Sequence, residues 1–393
     1  MATLLTPTII AKETLMQLSN SLAMGKHVYT QFKNEFQKVG ATVTIRKPNK
    51  FRATDTASIS KTTIVEPSTS ITVDTQSHVA WEFTSAELTT TIEDYSKRYI
   101  QPAALALANK VDVKLCELYA DVYNYAGTPG TTPATFAALG EAQRILDDED
   151  APSDKRIGIF NPKANWALAD GLKGTFAQNV AKDIMTRGYL GQIANLDMYM
   201  DQNIVRHLNG AFEADIQVTS EPVSGATTLV TKNWGGSSTV KKGDVFTIAG
   251  VYAVNPMSGA STGELRRFTV TADTSDDGAA MTIPVAPSII SSGAYQTVDS
   301  LPAVDALLTF VGTAATRYSQ NLVFHPNAFG LVVLPLELPS GVWGARESDP
   351  DLGLSVRVIK QYDIDTDKEV ARVDILFGVK TLYRELACRV YGE

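Results

Sequence analysis

Apolar side chains recur at helical spacing near the start of the chain. Leu15, Leu18, Leu22, Tyr29, Phe32 and Phe36 alternate with Lys and Glu, which predicts an amphipathic helix over 12–38. From Thr42 to Thr84 the period changes to two. TVTIRKP and SITVDTQSHVAWEF read as strands around a Thr/Ser-rich middle, FRATDTASISKTTIVEPSTS, too poor in apolar residues for a core of its own. A two-stranded arm of this kind is marginal alone in water and needs another surface. Residues 94–125 carry the strongest helical pattern: Ile100, Ala104, Leu107, Val111, Leu115, Leu118 and Val122 follow spacings of three and four, Pro102 falls early, and Gly127, Pro129 and Gly130 stop the run. At 1.5 Å per residue such a helix would be about 45 Å long, a spine for other elements.

An α/β stretch follows. Residues 133–147 read as helix, RIGIFNP as a short buried strand, and KANWALADGLKG as a helix ended by glycine; 185–206 mix glycines with a strand-like end. From about 216 to 312 the composition shifts to Thr, Ser, Gly and Val. The short strands ATTLVT, DVFTIAGVYAV, RRFTVTA, AMTIPVA and ALLTFVG are separated by turn sequences such as WGGSS, NPMSGASTGE and TSDDG. This predicts a small barrel or sandwich interrupting a larger α/β body. After Phe324, two strand-like runs flank a polar turn and an aromatic-rich strand closes the chain, a β-meander by pattern alone.

A chain of 393 residues suggests two or three domains. A net charge of −8 argues against wrapping nucleic acid directly and is compatible with a container that holds it without gripping it. The charge is uneven, however. Between residues 43 and 63, Arg46, Lys47, Lys50, Arg52 and Lys61 face only Asp55. Such a cluster is either a solvated basic face or a dock for an acidic patch on an adjacent subunit. The N-terminal helix has the same two readings, packed on its own core or on a neighbour. Cys116 and Cys388 lie in apolar runs and read as reduced core residues. The first residues lack a signal-peptide pattern and no apolar run reaches bilayer length, so the expectation is a protein made in the cytoplasm with no membrane partner.

Motifs for chemistry are missing: there is no Walker loop, GxGxxG, nucleophile elbow, HExxH or CxxC, and His27, His78, His207 and His325 fall in different segments. Catalytic, cofactor and metal residues are therefore expected to be none. Two acidic patterns need weighing. The run Asp147, Asp148, Glu149, Asp150 reads as a solvated helix end, because consecutive carboxylates rarely point at one centre. Asp363, Asp365 and Asp367 alternate like a calcium loop ending at Asp374, but Lys368 stands where glycine is required and the flanks are strands, so a hairpin turn is expected.

Several segments, in order, resemble those of a tailed-bacteriophage major capsid (coat) protein of the phage P-22 type. TPTIIAKETLMQLSNSLAMGKHVYTQF resembles its N-terminal arm, VTIRKPNKF the entry to its extended E-loop, and IQPAALALANKVDVKL its spine helix. IGIFNPKANWALADGLKG and GYLGQIANLDMYMDQNI resemble its A-domain, KKGDVFTIAGVYAVNP the start of its inserted domain, and FHPNAFGLVVLPLELP with YDIDTDKEVARVDILFGVKTLYRELACRV its C-terminal part. The resemblance implies an α+β, Hong Kong 97-like capsid fold. Its parts would be an N-arm (1–41), E-loop (42–92), P-domain spine helix (93–130), A-domain (131–215), inserted β-rich domain (216–312) and a return through A- and P-domain strands (313–393).

It also implies a structural, non-enzymatic protein of the virion, self-assembling as hexamers and pentamers into an icosahedral shell in the host cytoplasm. The implied partners are further copies of itself, a scaffolding protein and a portal protein, around double-stranded DNA held without sequence-specific binding. The lysine–asparagine crosslink of some wider relatives would need Lys61 and a partner site for which no residue argues. Candidate contacts between subunits are Arg46, Lys47, Lys50, Arg52, Lys61, Leu15, Leu22 and Phe32. The alternative is a β-rich binding or adhesion module without catalytic activity, which would cluster surface aromatics in the insertion, where Trp234, Phe246, Tyr252 and Tyr295 occur.

Overall fold

The computed structural model describes residues 7–30, 42–52, 67–84, 96–172, 191–276, 280–349 and 353–393. It divides into two compact units, Met1–Arg46 with Ser68–Cys116 and Phe329–Leu382, and Lys47–Pro67 with Glu117–Ala328 and Tyr383–Glu393.

The first unit is built on one long strand, Lys368–Thr381. Thr75–Thr84 runs antiparallel along one of its edges; Ser355–Asp363 and Phe329–Leu334 share the other, and Trp343–Ser348 extends the sheet beyond Ser355–Asp363. Helix α1 (Pro7–Ser21) packs on helix α2 (Gln101–Cys116) and on the Trp343–Ser348 and Ser355–Asp363 strands. α1 buries Ile10, Ala11, Thr14 and Leu18, and α2 buries Ala104, Leu107, Ala108, Val111 and Leu115, the stripes expected of helices covering one sheet face. The predicted N-terminal helix was longer. α1 stops at Ser21 because the chain is hooked round the buried carboxylate of Asp112, which accepts the N–H groups of Ala23 (2.7 Å), Met24 (3.1 Å) and Gly25 (2.9 Å). Tyr29 then bridges Gly330, with Leu331 N–H donating to its carbonyl.

The spine also differs from its prediction. Its α-helical part is 16 residues, about 24 Å, entered by a π-turn at Ser96–Ile100 and continued as a tighter 3₁₀ segment, Glu117–Asp121. The predicted arm divides too. Thr42–Arg46 pairs with Ser68–Thr72, but from Thr75 the chain leaves for the five-stranded sheet. Ile71 and Val73 anchor the short hairpin on Val332, Leu334 and Leu376.

The second unit holds two β structures. A seven-stranded mixed sheet places Arg317–Phe324 between Ala387–Tyr391 and Arg156–Phe160. The closing strand therefore leaves the meander predicted for it and pairs here. Helices α3 (Phe136–Asp148) and α4 (Pro162–Leu172) supply Leu139, Ile145, Leu146 and Leu168 to a core with Phe160, Val323 and Val390. α3 begins at Thr135, whose hydroxyl accepts the Ala138 N–H.

Residues 216–312 form the second structure. A six-stranded antiparallel sheet runs in the order Leu308–Phe310, Val245–Val254, Ser261–Val270, Ala280–Ile289, Ala226–Lys232, Gln217–Val218. Gln217 bridges Leu307, and Leu308 N–H donates to the Ile216 carbonyl, so the two edges meet and the sheet is a closed barrel. Phe246, Phe268, Ile248, Val270, Ile283 and Leu229 fill it.

Candidate assembly surfaces

No group of His, Cys, Asp or Glu among the described residues could hold a metal ion, and no described helix is long and apolar enough to cross a membrane. The acidic run ends α3 with Asp147, Asp148 and Asp150 exposed, as a solvated helix end should be, while Glu149 turns inward. Asp147 receives Arg156 (2.6 Å), Asp148 receives Arg144 (2.7 Å), and Glu149 receives the buried Arg266 (2.6 Å) and the Tyr123 hydroxyl (3.3 Å). Three neighbouring carboxylates thus serve three different arginines.

The calcium-like pattern is a hairpin turn between Ser355–Asp363 and Lys368–Thr381. Asp363 accepts the Asp365 N–H (3.1 Å) and the Thr366 hydroxyl (2.7 Å), and these bonds hold its carboxyl below the usual range. Asp374 is 0 % exposed and is clasped by Arg357 and Arg372, each at 2.6 Å.

Four candidate contact residues from the basic arm are described. Arg46 and Lys50 are exposed. Lys47 is half-buried, its ammonium 4.5 Å from the centre of the Tyr383 ring, and burial lowers its pKa. Arg52 donates to Gln296 Oε1 (2.8 Å). Lys61 lies outside the described residues, as does Phe32. Leu15 is half-buried and Leu22 only 4 % exposed, so Leu22 serves the core of its own unit. Sequence reasoning missed Ile9 and Met16, seven residues apart and therefore on one face of α1, which stay outward, Met16 at 54 % exposure. It also missed the tip of the 363–368 hairpin, where Tyr362 and Ile364 (82 % exposed) border a surface groove of about 640 Å³ lined by Pro339, Val342, Ile359 and Val370.

Among the described residues of the barrel no aromatic side chain is exposed beyond half-burial. Trp234 and Phe246 are in its core, and Tyr252 and Tyr295 are half-buried.

A polar network fixes the interior of the second unit. Arg389, 0 % exposed, donates from Nε to the Val122 carbonyl (2.7 Å), from Nη1 to the Gly243 carbonyl (2.7 Å) and from Nη2 to the Thr269 hydroxyl (3.1 Å). Its guanidinium lies 5.6 Å from the centre of the Tyr119 ring. The Tyr119 hydroxyl meets His207 Nδ1 (2.8 Å), and His207 Nε2 meets Asp244 (2.7 Å), all buried. Burial pushes Tyr119 up to about 12, so its proton stays in place at physiological pH. A Tyr–His–Asp chain could suggest catalysis, but it contains no nucleophile poised at a cleft and is closed to solvent. Its partners are backbone and neighbouring strands, which is the signature of a structural clamp.

The family described as P22 coat protein – gene protein 5 matches residues 1–388. No curated protein matches. Among solved structures, the chain is similar to one from Mycobacterium phage Che8 with 12 % identity, a TM-score of 0.52 and coverage of 94 % of this chain and 90 % of that one, a likeness of fold alone. The capsid of Ralstonia phage GP4 aligns at 8 % identity, TM-score 0.48, over 95 % and 90 % of the two chains. The CUS-3 coat protein I-domain aligns at 23 % identity, TM-score 0.20, over 26 % of this chain and 98 % of that one. With the family matched over nearly its whole length, the chain belongs to the P22 coat protein family.

Proposed function

We propose that this chain, a structural major capsid protein of a phage shell, closes that shell as hexamers and pentamers of itself. The observation that carries the reading is the family match over residues 1–388. The fold likeness over 94 % of the chain agrees with it. The surfaces described above support self-association: an outward apolar pair on α1, an exposed Tyr362–Ile364 hairpin tip, and exposed Arg46 and Lys50 on the arm. Of the candidate contacts, Arg46, Lys50 and Leu15 keep surface to offer a neighbour, and Ile9, Met16 and Ile364 join them. Many modest contacts repeated over a closed shell give a total stability that no single contact has.

The finer parts of the proposal are the partners and the compartment. Assembly in the host cytoplasm is directed by a scaffolding protein, one vertex takes a portal protein, and double-stranded DNA is enclosed without base-specific contact. The net charge of −8 supports containment over wrapping. The adhesion-module alternative needs exposed aromatics on the barrel, and the exposed large apolar residues there, Val223, Val230, Met257, Leu265, Val304 and Leu307, include none. The test is negative-stain electron microscopy of the chain expressed with its neighbouring phage genes. Closed shells of uniform size are expected. A dispersed monomer even beside a scaffold would return the question to the binding module.

A further inference from the structure

We infer that the barrel seats the base of the basic arm, through a clamp formed by Tyr295, Gln296 and the bare backbone at Gly259. The Tyr295 hydroxyl accepts the Lys50 N–H (3.2 Å) and donates to Asn49 Oδ1 (3.4 Å). Gln296 Oε1 accepts from Arg52 Nη1 (2.8 Å). A second barrel loop closes the other side. A Cβ at Gly259 would stand 2.3 Å from Arg52 Nη1, so a side chain there would push the guanidinium from its place.

Both loops are held rigidly from within the barrel. Thr297 Oγ1 donates to the Ser288 carbonyl (2.6 Å) and accepts the Ile290 N–H (3.0 Å), next to Val298, which is fully buried in the barrel core. Gln296 Nε2 donates to the Val298 carbonyl (2.9 Å), which turns its oxygen towards Arg52. Asn255 Oδ1 accepts the N–H groups of Met257 (2.9 Å) and Ser258 (3.0 Å), and the Asn255 carbonyl accepts the Gly259 N–H (2.8 Å). The arm base itself, residues 47–52, has no regular secondary structure. Its conformation is therefore set by what it touches: Lys47 meets Pro67 and the Tyr383 ring, whereas Asn49, Lys50 and Arg52 meet the barrel.

The clamp is light. Nε and Nη2 of Arg52 are buried and make no hydrogen bond among the described residues, so a charged group is held by one charge-assisted bond and packing. A light clamp suits an element that must be positioned before subunits meet without being locked. The barrel thereby gains a task beyond its own stability: it fixes the conformation of residues 49–52, which have no regular secondary structure of their own. This rests on the shell-building reading.

The experiment compares the full-length, unassembled subunit with the Tyr295→Phe/Gln296→Ala double variant by amide hydrogen exchange. Within 47–52, exchange at the Lys50 amide, which the Tyr295 hydroxyl accepts, is expected to rise about tenfold, the scale of one or two lost weak hydrogen bonds. Protection of the Val245–Val254 and Ser261–Val270 strands should be unchanged, showing an intact barrel. Unaltered exchange at 47–52 overturns the inference. Arg52→Ala tests it from the arm side with no barrel residue changed. Co-expressed with the neighbouring phage genes, both variants should give at least several-fold fewer closed, uniform shells than the native sequence. Native yield and size from both would show that the clamp does not position the arm. Absence of particles from the native sequence itself would count against the shell reading, while the exchange comparison would still decide the clamp.

Discussion

Arg389 shows what a single side chain can hold. Its guanidinium is wholly enclosed, and it binds the carbonyls of Val122 and Gly243 and the hydroxyl of Thr269, three separate segments of one unit. Arginine suits the position because its planar fork reaches several acceptors at once, whereas an ammonium is a point donor. Arg389→Met strands both carbonyls, at about 1–3 kcal/mol for each orphaned acceptor. The urea midpoint of the unassembled subunit should fall accordingly, and Arg389→Lys should recover less than half of the loss. His325 carries a second expectation at this scale. It is buried, its Nδ1 accepts the Asn327 N–H (3.3 Å), and burial lowers its pKa. The unfolded chain therefore binds the proton more readily than the folded one. Stability from this group is complete above the ordinary histidine pKa of about 6.5 and declines as pH falls below it towards the depressed folded value. His325→Asn can keep the backbone acceptor without the titration, so melting temperatures measured from pH 7 down to 5 should flatten in the variant. An equal slope in both proteins would remove His325 from the account.

Among elements, the hook at Asp112 is the sharpest case. Three N–H groups after α1 converge on one buried carboxylate, which ends the helix and turns the chain towards its bridge with Gly330. Asp112→Ala leaves these donors without that acceptor, and a loss of about 2–4 kcal/mol is expected. Amide exchange at 23–25 should rise well before that of α2, whereas a uniform rise would mean that the hook has no local role. The same element shows where sequence reading succeeds and fails. Periodicity found the buried face of α2, the fully buried Arg156–Phe160 strand and five barrel strands, because burial imposes a period on each, but of the buried face of α1 it named only Leu18. It overran α1, since Tyr29, Phe32 and Phe36 continue a helical spacing while the actual stop is a carboxylate almost ninety residues away. It merged Ser68–Thr72 with Thr75–Thr84, which serve different sheets, and it assigned Ala387–Tyr391 to a meander, because pairing partners are non-local. A signal for the missed polar residues was present: Asp112 and Arg389 each interrupt an apolar pattern, and a charge at such a position calls for a buried partner. The candidate contacts were legible as a basic cluster. Which of them their own chain already uses was not, since Tyr383 and Gln296 lie far away in sequence.

At the scale of the whole molecule, the sorting of the basic arm leads to a prediction about assembly. Arg46 and Lys50 are exposed, and Lys47 and Arg52 are half-buried, Lys47 over the Tyr383 ring and Arg52 on Gln296. In a protein of net charge −8 acidic side chains outnumber basic ones, so the expectation to be tested is that an exposed basic pair on one copy meets complementary charge on the next. Charge pairs at such a surface contribute little individually, about 0–1 kcal/mol, and are screened over about 10 Å at 0.1 M salt. A shell repeats the contact in every subunit, however, so a small change per copy becomes a large change in the yield of closed particles. Arg46→Glu/Lys50→Glu should therefore leave the melting temperature of the unassembled subunit nearly unchanged but lower particle yield at low ionic strength. Raising the salt should bring variant and native yields together, because it screens the attraction in one and the repulsion in the other. Light scattering of assembly across a salt series measures this directly. Equal yields at every ionic strength would mean that the exposed pair is merely solvated, and shell contacts would then rest on the apolar surfaces at Ile9, Met16, Tyr362 and Ile364. A defect that persists at high salt would instead point to lost packing by the two long side chains.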